Sequence, residues 1–374
     1  MILISDFCLT ARNRGTAALG YGAISFLREK GYLNSSDVIV LLELTRNPLK
    51  KSFYTKNIIQ GKKVTFYHLF VNSIEYRLLM AFGLIIPFSR FGKFCKNLKF
   101  VASINGGDGF SDIYGDTLFK SRLLYTHLAM KLGVPHILLP QTIGPFEKKC
   151  NKEEAHNIIK YSEAIFVRDK KYVKELDDLG VKYELTKDLS AYMQPEPWDI
   201  SVQTGAVGIN ISGLAYSNKF GKTAGQFDIY PSLIEVLIRH FQNKGVQVFL
   251  IPHAYGFNNP EDFNDDLVAT KEVYNKLENK TNVVFINKDL SSPQIKYLIS
   301  KMSFFCGTRM HANFAAIYTG VPVFGLSYSY KFAGAFEANG LSTEQTFMIN
   351  NMQESDIPKL VNIIDNFYNL NKLY

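Results

Sequence analysis

The run Cys306-Gly307-Thr308-Arg309-Met310-His311 puts a small-residue turn, a guanidinium and an imidazole at what reads as the end of a strand and the start of a helix. The unpaired first-turn amides and the positive dipole end of such a helix form a site for an anion, with Thr308 as the capping hydroxyl. Arg309 offers a planar fork to two anionic oxygens, and His311 can gain or lose a proton near neutral pH. The pattern predicts a site that holds a phosphate and moves a proton. The same residues also admit a structural reading, in which Thr308 caps the helix, Arg309 pairs with a carboxylate and His311 is a half-buried ring. Lys331, just past the next strand, would add a further positive charge.

Three other loops carry polar groups at the ends of β-rich runs. Asn105-Gly106-Gly107-Asp108-Gly109 lets backbone approach a ligand closely, because its glycines have no side chains. Its spacing matches neither a dinucleotide fingerprint nor a phosphate-binding loop ending in Lys. Asp108 and Asp112 are loop carboxylates that can take a proton from a sugar hydroxyl, or equally serve a turn or helix cap, the role expected first for Asp112. Arg168 follows the run Ala164–Val167 and can clamp a carboxylate or phosphate, or form an ion pair with Asp169 or Asp188. Asn13 and Gly15 open a helix after the first strand, another anion-friendly helix start, and His253 in Ile251-Pro252-His253 points to the same region of the later half.

These loops need a scaffold, and the chain supplies one. Short β-rich runs at 37–43, 63–69, 99–104, 136–140 and 164–167 alternate with helical patterns, among them 16–30 and 117–132. The rhythm repeats at 206–212, 246–252, 282–286, 303–306 and 322–326, so two doubly wound α/β units with parallel sheets are expected. In such sheets ligands bind at the carboxyl ends of strands, where the polar loops fall. Residues 193–205 carry two prolines and little apolar periodicity, which reads as a linker. The expected division is 1–194 as an N-terminal Rossmann-like domain, 205–345 as a C-terminal one, and 346–374 as a terminal helix.

The 374 residues are 47% hydrophobic and 20% charged, which excludes a mainly disordered chain. Lys and Arg number 42 against 34 Asp and Glu, a formal net charge of +8 that favours anionic partners, but no nucleic-acid-binding motif accompanies it. Four cysteines without paired spacing point to reduced thiols in the cytoplasm, and the seven histidines show no metal-ligand spacing, so no metal is expected. No secretory signal is read at the start of the chain. The most apolar run, Leu78–Phe88, is about half the ~20 residues of a spanning helix. With Arg77, Arg90, Lys93, Lys96 and Lys99 around it, residues 78–99 fit either a peripheral contact with an anionic leaflet or a packed helix pair with a solvated basic face.

Taken together, the segments 307–331 (GTRMHANFAAIYTGVPVFGLSYSYK), NGGDGFSD, PQTIGPF (140–146), FVRD with the later Asp188, GINISG (208–213) and NRGTAAL resemble the polysaccharide pyruvyl transferases over most of the chain. That resemblance implies two Rossmann-like domains facing a cleft, as in GT-B glycosyltransferases. It implies phosphoenolpyruvate as donor, a sugar of a cell-surface polysaccharide or its precursor as acceptor, and a cyclic pyruvate ketal as product, with no cofactor. It places Arg168, Arg309, Met310 and His311 at the donor, Met310 through its backbone, with Lys331 beside them. His311 is expected to be the general acid, with Asp108 or His253 as base. Asn13, Gly106, Gly107, Gln141 and His253 are expected in the acceptor or cleft loops. Whether the acceptor is lipid-linked, nucleotide-linked or polymeric stays open, and a lipid-linked one would place the enzyme on the inner face of the membrane. Two other readings stay open on the residues alone. One is a metal-independent GT-B glycosyltransferase using a nucleotide sugar, with Glu337 as its ribose-holding carboxylate. The other is a module that only binds anionic saccharides.

Overall fold

A computed structural model describes residues 1–47, 49–329 and 331–371, with only the backbone of Lys331. The chain divides into two compact units, one of Met1–Cys8 with Leu19–Tyr192, the other of Leu9–Ala18 with Met193–Tyr374.

The first unit is built on an eight-stranded sheet: β1 (Ile2–Ser5), β2 (Val38–Thr45), β3 (Phe53–Ile59), β4 (Lys62–Asn72), β5 (Phe100–Ser103), β6 (His136–Gln141), β7 (Ala164–Val167) and β8 (Glu184–Leu185). Their order is β3-β4-β2-β1-β5-β6-β7-β8, and every pair is parallel except β3 with β4. The central strands β1, β5 and β6 are buried along their whole length, so continuous apolar runs rather than alternation mark them in sequence. Strand order reverses between β1 and β5, which makes the carboxyl ends of these two strands the crevice of this sheet. The expected 117–132 helix is two, Asp116–Arg122 and Leu124–Leu132, the second closed by Gly133 at φ 65°.

The second unit has six parallel strands: β9 (Val207–Asn210), β10 (Val248–Leu250), β11 (Val283–Phe285), β12 (Phe304–Gly307), β13 (Val323–Ser327) and β14 (Thr346–Met348). Their order is β11-β10-β9-β12-β13-β14, a doubly wound sheet whose direction of growth reverses between β9 and β12. One apolar layer, including Leu233, Leu237 and Phe241 of the Tyr230–Asn243 helix and Leu360 and Ile364 of the Asp356–Asn371 helix, covers one face; Ile295, Leu298, Ala312 and Phe336 belong to the layer on the other.

Three strands escape the sequence reading. β3 is an edge strand with five of its seven residues exposed, the polar Lys56-Asn57 pair among them, and β8 is two residues long, so neither shows a buried apolar run. β14 occupies the first residues of the segment expected to be a terminal helix, which itself begins at Asp356. The β-branched and aromatic residues Thr346 and Phe347 fit a sheet edge better than a first helical turn.

Segment Leu9–Ala18, expected with the N-terminal domain, is part of the second unit, and Arg14 is the reason. Its Nε donates to the Leu290 carbonyl at 2.7 Å, Nη1 to the carbonyls of Ala11, Arg12 and Tyr255, and Nη2 to Asp289 at 2.7 Å. The guanidinium also lies over the Tyr255 ring, 4.1 Å from its centroid. A side chain 7% exposed with all three guanidinium nitrogens hydrogen-bonded is an anchor, and nothing in the motif Arg12-Asn13-Arg14-Gly15 announces it.

Candidate functional site

In the second unit, the loop after β12 and the loop after β10 meet at the strand-order reversal. Asn210, the last residue of β9, accepts from the Arg309 amide at 2.9 Å and donates to the Ile251 carbonyl, which ties β9, β10 and β12 together at their carboxyl ends. Beneath them lies Asp266, fully buried at the start of the Asp266–Lys276 helix. One of its oxygens accepts from the Gly213 amide at 2.8 Å and from Nε and Nη2 of Arg309 at 3.0 and 2.7 Å. The other accepts from the amides of His253 and Ala254 at 3.1 and 2.8 Å. Asp266 escaped the sequence reading; its only signal is a doublet, Asp265-Asp266, at a helix start, and Asp265 is the one that caps it.

Arg309 therefore follows the structural alternative for its side chain. Besides Asp266, its Nη2 donates to the backbone and side-chain oxygens of Asn264. Burial works against the charge, but Asp266 and then Tyr328 outweigh it and hold the guanidinium's pKa above its ordinary value. A guanidinium neutralised in this way contributes a fixed geometry more than a net positive charge. Thr308 also departs from expectation. Arg309, not Thr308, occupies the position preceding the Met310–Ile317 helix, and the buried Thr308 hydroxyl pairs with the Tyr230 hydroxyl at 2.7 Å.

The positive character of the site comes from elsewhere. The Met310–Ile317 helix and the Arg14–Glu29 helix both begin here, each with first-turn amides that have no partner inside the helix. Arg14 donates its amide to the His253 carbonyl, and Asn13 receives the Gly15 amide on its side chain at 2.9 Å. The His311 ring packs on Gly15 so closely that a β-carbon there would stand 2.6 Å from His311 Cγ. The ring also meets Phe314 edge-on, 5.5 Å between centroids. His253 is 4% exposed, and its Nδ1 has no hydrogen-bond partner among the described residues. Burial first, then the proximity of His311, Arg14 and Arg309, push its pKa well below the usual histidine range, so it is a neutral imidazole at pH 7. Met310 is half-buried against the apolar layer, which leaves its backbone as the part that can face a ligand. Lys331 begins the Lys331–Ala338 helix, and its side chain lies outside the described residues; Glu337 is exposed on that helix.

The corresponding crevice of the first unit holds the glycine loop. Gly106 and Gly107 take φ 63° and 84°, where a side chain is strained, and a β-carbon on Gly107 would stand 3.0 Å from Nη1 of Arg168. Arg168 gives Nη1 to Asp188 at 2.6 Å and Nε to the Thr142 hydroxyl at 3.0 Å, again the ion-pair alternative. Burial opposes its charge, while Asp188 and Asp108 raise its pKa. Asp108 is half-buried and accepts from the Tyr114 hydroxyl at 2.6 Å. Gln141 is fully buried and spends its amide on the carbonyls of Ser103 and Leu139 and on Asn105. It holds the loop in place rather than facing a ligand. Asp112 accepts from the amides of Glu147 and Lys148, which precede the Lys149–Tyr161 helix, and from the Asn151 side chain, so it braces a distant segment rather than serving a local turn or helix cap.

A second residue that the sequence did not single out is Asp6, directly after β1 at φ 52°. Its carboxyl faces Arg122 at 3.6 Å, and burial raises its pKa, partly countered by that guanidinium. Arg122 lies against Gly106 and Gly109, and its Nη1 is buried without a partner among the described residues. No group of three or more His, Cys, Asp or Glu among the described residues could hold a metal ion, and the four cysteines are unpaired.

Comparison with known proteins supplies three findings. A sequence model described as polysaccharide pyruvyl transferase matches residues 13–330. The amylovoran biosynthesis protein AmsJ of Erwinia amylovora is 18% identical over 278 residues, covering 70% of this chain and 65% of that protein, so the match spans less than two thirds of the relative's length. Among solved structures, a UDP-N-acetylglucosamine 2-epimerase described as putative from Listeria monocytogenes aligns with TM-score 0.56 at 10% identity, covering 100% of this chain and 90% of that one. The UDP-GlcNAc 2-epimerase from Neisseria meningitidis, solved bound to UDP-GlcNAc, aligns with TM-score 0.53 at 12% identity over 100% and 94%. At such identities the likeness concerns the fold alone, two Rossmann-like units of the GT-B kind.

Proposed function

The chain belongs to the polysaccharide pyruvyl transferase family, and from that premise we propose that it moves the enolpyruvyl group of phosphoenolpyruvate onto two hydroxyls of a sugar in a cell-surface polysaccharide or its precursor. The product is a cyclic pyruvate ketal, and inorganic phosphate leaves. The observation that carries this reading is the convergence, within the second unit, of the start of the Met310–Ile317 helix, His311 and the neutral His253 around a framework held by the Arg309–Asp266 pair. Phosphoenolpyruvate is small and carries close to three negative charges, and helix amides bind such an anion without the desolvation cost that a mobile lysine incurs.

His311 is the proton donor to the methylene carbon of the enol. As that carbon becomes a methyl group, C2 acquires oxocarbenium character, and one sugar hydroxyl adds to it. Phosphate then departs, and the second hydroxyl closes the ring. Two hydroxyl protons leave the sugar in all. One equivalent ends on the new methyl group, by way of the acid, and the other leaves with phosphate, so the balance needs no cofactor. His253, neutral because of its surroundings, and Asp108 are the two groups that can take a hydroxyl proton. Arg309 sets the position of the Met310–Ile317 helix start, where the Met310 amide meets the donor; the family resemblance adds Arg168 as a donor contact, and Lys331 adds a further positive charge. Phosphoenolpyruvate is a cytoplasmic metabolite, so the reading places the enzyme in the cytoplasm, on the inner face of the membrane when its acceptor is lipid-linked. No helix among the described residues is long and apolar enough to cross a bilayer.

Phosphate release from phosphoenolpyruvate in the presence of a panel of acceptor sugars tests the assignment, with ketal formation read as the mass gain of the product. His311→Ala should lower turnover by about 10²–10⁴-fold, the usual contribution of a positioned acid, with an unchanged melting temperature. Full turnover in that variant removes His311 from the mechanism. Thermal stabilisation by uridine nucleotides but not by phosphoenolpyruvate would overturn the donor in favour of a nucleotide sugar.

A further inference from the structure

The segment Ile74–Phe88 concentrates exposed apolar surface that the chemistry above does not use. Phe82 is 73% exposed, Leu84 58%, Ile86 45% and Phe88 89%, with Ile74 at 66%. Local structure forces them outward. Gly83, at φ 73°, closes the Ser73–Phe82 helix by returning its amide to Leu78 and Leu79, Pro87 prevents the helix from resuming, and Phe88 itself adopts φ 68° before Ser89 caps the Arg90–Asn97 helix. The result is a protruding apolar loop between two helices whose inner faces, including Tyr76, Leu79, Phe91 and Phe94, are fully committed to the core.

The charge around the loop has one sign. The Arg90–Asn97 helix buries Phe91, Phe94 and Cys95 and exposes Arg90, Lys93 and Lys96, while Arg77 is exposed on the preceding helix and the Lys131 side chain reaches within 3.9 Å of the open side of Gly83. The only acid between residues 73 and 99 is Glu75, and it receives the Ser89 hydroxyl. Exposed aromatic and aliphatic tips rimmed by basic side chains match the two layers of a bilayer surface, acyl chains below and anionic headgroups above. A protein partner would need an apolar pocket ringed by acids; a bilayer offers that complementarity without any particular shape.

We propose that Phe82–Phe88 with the exposed face of the Arg90–Asn97 helix is a docking surface for an anionic lipid bilayer, with Phe82, Leu84 and Phe88 entering the acyl boundary and Arg77, Arg90, Lys93 and Lys96 meeting the headgroups. This deepens the inner-membrane-face reading by naming the surface that makes the contact, and its test reads binding rather than turnover, so either can fail without the other. The full chain is floated with vesicles of equimolar phosphatidylglycerol and phosphatidylcholine, and with vesicles of phosphatidylcholine alone. The expected result is binding to the first and about tenfold less to the second, weakened by salt. Phe82→Ser with Phe88→Ser, and separately Arg90→Glu with Lys93→Glu and Lys96→Glu, should each lower binding about tenfold or more with an unchanged melting temperature, since all five side chains are exposed. Absence of binding to the anionic vesicles overturns the proposal, as does binding that neither set of substitutions reduces. So does a dimer in sedimentation that Phe82→Ser with Phe88→Ser dissociates, because the loop would then cover a second copy of the chain.

Discussion

At the crevice of the first sheet Arg168 is clamped to the buried Asp188, and Arg122 faces Asp6; at the crevice of the second, Arg309 is clamped to the buried Asp266 and Arg14 to Asp289. The two units thus place paired charges in corresponding parts of a doubly wound sheet. The further polar group that each unit presents differs. In the first unit it is a carboxylate, Asp108, held by Tyr114 beside a glycine loop. In the second it is two imidazoles, His311 in the first turn of the Met310–Ile317 helix and His253 in the loop after β10. A carboxylate among glycines suits the hydroxyls of a sugar, whereas imidazoles beside a helix start suit an anion. The division of labour between acceptor and donor proposed for this enzyme follows from this carboxylate and these imidazoles, not from the arginines that are most visible in the sequence.

The two aspartates differ in how much depends on them, and their removal should show it. Asp266 accepts from three backbone amides and from Arg309, whereas Asp188 accepts from Arg168 and from the amide and hydroxyl of Ser190. Asp266→Ala leaves a buried guanidinium and several amides unpaired at once, so a loss of about 3–5 kcal/mol in unfolding free energy is expected by chemical denaturation. Asp188→Ala should cost about 1–2 kcal/mol less, because Thr142 and the Asp108 charge remain with Arg168. Equal losses would erase the distinction between the two aspartates.

Next in size is a substitution that acts on the imidazoles without touching them chemically. Gly15→Ala lies in the first turn of a helix, where alanine is ordinarily favoured over glycine by about 0.5–1 kcal/mol. Here the new methyl group would overlap the His311 ring, 2.6 Å from Cγ. Turnover should fall about 10²-fold through displacement of the acid, with a loss of about 1–3 kcal/mol in stability from the overpacking, and Ser at the same place should behave like Ala. Unimpaired turnover would mean that the His311 position is not critical, and the anion-site reading of the second unit would lose its proton donor.

The sequence made the doubly wound class and most buried strands legible, because runs such as Ala164–Val167 and Val207–Asn210 are apolar throughout and bounded by loops. The loop positions of Arg168, Arg309, His311 and Asp108 at carboxyl ends of strands were legible for the same reason. What was not legible is which partner each group takes. Asp266 and Asp188 lie 43 and 20 positions from the arginines they hold, and Arg14 reaches Asp289 across 275. Such pairings depend on tertiary approach, which no local pattern encodes. Gln141 shows the same limit. It stands in a loop motif of the family, and yet burial assigns its amide to the backbone. Asp6 has no motif at all; its left-handed backbone and its desolvation arise only once β1 and β5 are paired.

The smallest effect compares two buried histidines. His136 in the first unit is held by Ser103, Thr126 and Ser162, and burial lowers its pKa to about 3. His253 in the second is lowered by burial and then by His311, Arg14 and Arg309. In the unfolded chain both return to about 6.5, so the unfolded state binds more protons below that pH. Each histidine therefore stabilises the fold fully above about pH 6.5, and that stability declines as pH falls, by about 1.4 kcal/mol per pH unit for each. An anion changes only one of them. Phosphoenolpyruvate bound at the Met310–Ile317 helix start would offset the positive surroundings of His253 and favour its protonation, whereas His136 would not sense it. Calorimetry of phosphoenolpyruvate binding near pH 6, in buffers of different ionisation enthalpy, should show proton uptake that His253→Gln reduces and His136→Gln leaves unchanged. Uptake equally insensitive to both substitutions would separate the anion from His253 and shift the donor away from this part of the second unit.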